Sequence, residues 1–76
     1  MYQYYILEVQ KNKDGEYSHI VHYAYDADPD MARRKAESAY YNVLAAAAVS
    51  DTAMHSAVLV SAEGFPVLNE CYINEK

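Results

Sequence analysis

Asp26-Ala27-Asp28-Pro29-Asp30, "DADPD", divides the chain into two kinds of sequence. Before it, aromatic and β-branched residues crowd Tyr2–Gln10 and Tyr17–Tyr25, the composition of strands. After it, apolar residues recur at helical spacing. The stretch itself supplies a helix start. Asp28 suits the N-cap, Pro29 the first helical position, and Asp30 places negative charge in the first turn. A helix is therefore predicted from about Pro29 to Val49, ending at Ser50-Asp51 without the usual glycine.

Upstream, "KNKDGE" joins the two strand segments, and Asp14-Gly15 is a turn signal, so they should form a hairpin. Downstream, Met54–Ala62 contains "AVLV" and reads as a third strand. Glu63-Gly64 is a turn, and Phe65–Ile73 a fourth strand, with Pro66 near its start, where a missing donor is tolerable. The first and third strands are the most apolar, which places them centrally. The expected fold is α+β, of ββαββ order, with a four-stranded antiparallel sheet in the order 2-1-3-4 and one helix on one face. Residues 1–76 make one domain, with no room for a second core.

Four adjacent alanines, Ala45–Ala48, stand out in a chain short of bulk. A 100° wheel places Ala32, Ala36, Ala39, Tyr40, Val43 and Ala47 on one stripe, with Leu44 at its edge. Small residues let a helix lie close to a sheet, and Tyr5, Leu7 and Val9 are expected to fill the space beneath. Ala46 is given the same packing role. Ala45 and Ala48 lie on the far side with Tyr41, either as plain helix formers or as a shallow patch for another chain.

The strands alternate poorly. Tyr5, Leu7 and Val9 oppose Tyr2, Tyr4 and Ile6; Ala57 and Leu59 oppose Val58 and Val60; Val21, Tyr23 and Tyr25 oppose Ile20 and Ala24. Both faces read as apolar, yet there is one helix. A second copy is the simplest cover, so a homo-oligomer is expected, a dimer foremost. The open sheet face is assigned to Tyr2, Tyr4, Ile6, Val58 and Val60, which form the expected interface together with Tyr41, Ala45 and Ala48. The alternative is a monomer with a partly wet, tyrosine-rich face.

Composition narrows the partners. A net charge of −5 argues against nucleic acid and against anionic membranes as partners. Nine tyrosines, with no tryptophan and one phenylalanine, suit a partly covered protein–protein surface. One cysteine excludes an internal disulfide and fits a reducing compartment, so a cytoplasmic location is expected. "MYQYYILEVQ" lacks the basic region of a secretory signal, and no segment approaches the ~20 apolar residues of a membrane span.

Candidate chemical groups are sparse. Asp26, Asp28, Asp30 and Glu37 occupy positions 1, 3, 5 and 12 of a calcium-loop pattern, but Met31 stands where glycine is needed, and capping is the simpler role. His19 and His22 point to opposite faces of a strand and are taken, with His55, as surface or edge histidines. Cys71 is expected to be buried or half-buried. Ser50, Asp51 and Thr52 suit a helix terminus, and Arg33-Arg34-Lys35 a solvated run. No catalytic residue, metal ligand or cofactor is assigned.

The strand "YYILEVQ", the turn "KDGE", the helix end "AAAAVS", the segment "HSAVLV" and the closing glycine turn together resemble a family of short uncharacterised proteins of Firmicutes and their phages. The resemblance implies a prophage-associated accessory or structural role and carries no catalytic residues. The expected function is a non-enzymatic, self-associating interaction or assembly module. The competing class is a small-ligand-binding protein or enzyme whose tyrosine- and histidine-lined site forms between subunits.

Overall fold

Two glycines set the turns from which the sheet is built. Gly15 and Gly64 adopt φ of 94° and 91°, the left-handed region where a side chain would be strained. The first turn closes with the Gly15 N–H donating to the Asn12 carbonyl at 2.9 Å, and the second with the Gly64 N–H donating to the Ser61 carbonyl at 2.9 Å. The computed structural model describes residues 1–74. Its elements are β1 (Tyr2–Lys11), β2 (Tyr17–Asp26), α1 (Pro29–Ala48), β3 (Met54–Ser61) and β4 (Pro66–Ile73). All strand pairs are antiparallel and the order is β2-β1-β3-β4, the ββαββ arrangement expected.

The α1 start follows from its sequence. Asp28 is extended, at φ −94° and ψ 127°, and its carboxylate accepts the Met31 N–H at 2.9 Å, satisfying one of the four free donors of the first turn. Pro29 opens the helix, where its missing N–H costs nothing. The helix ends at Ala48, one residue short of the expected end, with Val49 as cap.

The buried helix stripe is Ala32, Ala36, Tyr40, Val43 and Ala47, with Ala39 and Leu44 partly buried beside it. Methyl groups bring α1 close to the sheet, and Ile6 and Leu59, the two largest fully buried side chains, fill the space. Ala24 and Ala57 complete the sheet side of the core. Ala46 is exposed, so the packing role expected of it belongs to Ala47 alone.

The face assignment of β1 is the reverse of the expectation. Residues directly opposite in an antiparallel pair share a face. Ile6 pairs with His22 and Leu59, and all three lie on the helix side. Tyr5, Leu7 and Val9 therefore point to the open side, and Tyr2, Tyr4 and Ile6 to the helix side. The sequence pattern could not decide this because each set of three is equally apolar. Tyr4 packs against the core on the helix side, while Tyr5 makes an edge-to-face contact with Tyr23 across the open face, with ring centroids 5.4 Å apart.

Candidate functional site

With even-numbered β1 residues beneath the helix, Glu8 enters the interior. It lies opposite Ile20 on β2 and Ala57 on β3. His22, two pairs along on β2 opposite Ile6, and His55, two pairs along on β3 opposite Gln10, reach it diagonally. His22 Nε2 lies 2.9 Å from Glu8 Oε1, and His55 Nε2 lies 2.6 Å from Glu8 Oε2. The Gln10 side-chain amide donates to Glu8 Oε2 at 3.2 Å. Three adjacent strands thus converge on one carboxylate.

Burial alone would push the Glu8 carboxyl up. Hydrogen bonds from His22, His55 and Gln10 outweigh it and hold the carboxyl below its ordinary 4.5. An ionised carboxylate has no proton to give, so both imidazoles donate from Nε2. His55 is 3% exposed and its Nδ1 is buried with no hydrogen-bond partner among the described residues. The His22 side chain is 39% exposed and gives the cluster its contact with solvent. Each histidine commits its Nε2 to Glu8, and among the described residues no group of three or more His, Cys, Asp or Glu is set to hold a metal ion. The arrangement can hold a buried negative charge and exchange protons with water through His22.

His55, buried on a central strand, is not the surface or edge residue expected, whereas His22 and His19 both lie on the edge strand β2, His22 half-buried and His19 exposed. Sequence reasoning missed Glu8 altogether. The available signal was a charged residue inside an apolar central strand, flanked in the predicted sheet by the two strands that carry the histidines.

A second feature is the uncovered outer part of the sheet. Tyr17, Ile20, Val21, Tyr23 and Tyr25 are all exposed, and all belong to β2. Val58 and Val60, opposite Leu7 and Tyr5, are on the open side as expected and half-buried. Tyr41, Ala45 and Ala48 are exposed on the outer side of α1. The other three expected interface residues lie elsewhere. Ile6 is fully buried in the core and reaches no partner. Tyr2 and Tyr4 line a cleft of about 160 Å³ at one end of the sheet with Gln3, Ser61 and Glu63. Cys71 is exposed, not buried; its pairing opposite Ser56 puts it on the open side of β4, an edge strand.

The remaining candidates serve the frame. Asp26 accepts the Asp28 N–H at 2.9 Å and pairs with Lys35 at 2.7 Å, which ties the helix start to the end of β2. Arg33 reaches Glu37 one turn on, at 3.3 Å. Ser50 and Thr52 share a hydroxyl contact of 2.8 Å after the helix, and the Asn74 amide donates to both their carbonyls. Among the described residues no helix is long and apolar enough to cross a membrane. The chain matches no family model, no curated protein and no solved structure.

Proposed function

We propose that this chain is a non-enzymatic interaction or assembly module that works as a homo-oligomer, a dimer in the simplest case. The observation that carries this is the concentration of exposed bulk on β2, where Tyr17, Ile20, Val21, Tyr23 and Tyr25 all meet solvent in the single chain. Exposed tyrosines offer a large apolar contact at low entropic cost while their hydroxyls stay hydrated. A domain of 76 residues also gains from burying surface against a copy. The resemblance to short phage-associated proteins fits an accessory role of this kind, in the cytoplasm. Light scattering across a concentration series tests the proposal: a mass of two chains or more supports it, and a single-chain mass at high micromolar concentration sinks it.

A second class is favoured by one observation, the Glu8–His22–His55 cluster. A carboxylate-backed histidine at the edge of solvent is suited to proton exchange with a small ligand in a cleft between subunits. Titration with candidate ligands, followed by the histidine ring signals in NMR, separates the two. Ring shifts confined to His22 and His55 favour a ligand site, and unchanged rings favour the module.

A further inference from the structure

The two edges of the sheet are unlike. β4 carries Pro66, the charged Glu70 and an irregular register with β3 at Leu59/Val60, all features that discourage another strand from adding. β2 has no proline and no irregularity, and its one acidic residue, Asp26, closes its end. It is ten residues long, in unbroken register with β1, and between Tyr17 and Tyr25 it has no charged residue and no proline. As the first strand in the sheet order, it presents alternate N–H and C=O groups outward along its length. We propose that β2 pairs antiparallel with β2 of a second copy, forming one continuous eight-stranded sheet. This rests on the self-association proposed above and names its contact.

A second copy fits for reasons of charge and symmetry. The molecule carries a net charge of −5, so a copy approaches most readily through a surface without acidic side chains, and Tyr17–Tyr25 is such a surface. A two-fold axis perpendicular to the sheet keeps each face facing the same way, so like-faced residues must oppose and the axis falls on a residue. Centring on Val21 sets Glu16 against Asp26, two like charges. Centring on His22 sets Val21 against Tyr23, Ile20 against Ala24, His19 against Tyr25 and Ser18 against Asp26, and moves Glu16 opposite Asp28, the helix cap beyond the end of the strand, so that Asp26 itself meets no acidic residue. The pairing then brings the His22 of both copies together, each backed by its own Glu8.

The helix agrees. Lys35 bonds Asp26 on β2, so that flank of α1 faces this edge. Ala39, Asn42 and Ala46 continue the same helical row, and all are small and uncharged. Ala46, exposed in the single chain, then borders the neighbouring copy.

Cys71 gives a direct test without any substitution, because it is free and exposed on β4, the strand farthest from the proposed contact. Across the extended sheet the two Cys71 residues lie seven inter-strand steps apart, ~34 Å, and about 20 Å along the strands, because Cys71 is level with His19. The expected separation is ~35–40 Å. Copies stacked face to face, with sheets about 10 Å apart, hold the same residues within ~25 Å. The full chain carrying a nitroxide on Cys71 is measured by dipolar electron paramagnetic resonance, alongside light scattering. A dimer with a distance near 35–40 Å supports β2 pairing. A dimer with a shorter distance overturns it while leaving self-association intact. A mass beyond the dimer overturns this closed pairing, and a monomer overturns both.

Discussion

Replacing Glu8 by leucine exposes what the buried cluster contributes. His55, 3% exposed, loses the acceptor 2.6 Å from its Nε2 and has no route to water. Stranding a buried donor costs about 1–3 kcal/mol. His22, with a side chain 39% exposed, turns to solvent and adds less than about 1 kcal/mol. The leucine recovers part of this by burying its own carbons. The net expectation for Glu8→Leu is a loss of about 2–3 kcal/mol, which in a domain of this size lowers Tm by roughly 10–20 °C. Urea unfolding at pH 7.5, followed by tyrosine fluorescence and circular dichroism, gives the value. The companion variant Glu8→Leu/His55→Leu removes both partners and should regain at least half the loss, because nothing polar is then stranded. A single variant within about 0.5 kcal/mol of the parent refutes the reasoning, as does a double variant no more stable than the single.

Other consequences follow from the same geometry. Because Glu8 titrates below 4.5 in the folded chain, its stabilisation is present above the unfolded value and is lost as pH falls through the folded one. Urea midpoints should therefore drop more steeply from pH 5 to pH 3 in the parent than in Glu8→Gln, and parallel curves would contradict this. Ala36→Leu inserts bulk where the helix is fully buried against the sheet and should cost about 1–3 kcal/mol in thermal unfolding. Asp28→Ala removes the acceptor for the Met31 N–H and should cost about 1 kcal/mol, read from the same melts.

The fold was legible because its signals are local. Asp28-Pro29 starts the helix, Gly15 and Gly64 set the turns, and spacing alone identifies the alanine stripe. Strand order followed from the apolar character of the first and third strands. The faces of β1 were not legible, because Tyr5, Leu7 and Val9 match Tyr2, Tyr4 and Ile6 in apolar character. The identity of the inner set is fixed by the packing of the whole sheet against α1, which is a tertiary quantity. The histidine cluster was hidden for the same reason. His22 and His55 meet only through Glu8, and Glu8 turns inward only when Ile6 does. Cys71 was misplaced because thiols are usually buried, a tendency that the open side of an edge strand overrides.

The two bonds to Glu8 differ in reach along the chain, with 14 residues separating it from His22 and 47 from His55. The first closes within a hairpin, on the microsecond scale of such elements. The second waits until the helix has folded back and β3 has docked on β1, a non-local step whose loop entropy must be met first. The His55 bond is therefore expected to be a late contact on the folding path. Interactions made after the transition state leave the folding rate nearly unchanged and slow unfolding. The carboxylate thus acts chiefly on the lifetime of the native sheet. A chevron of His55→Leu should show this as a faster unfolding arm beside an almost unmoved folding arm.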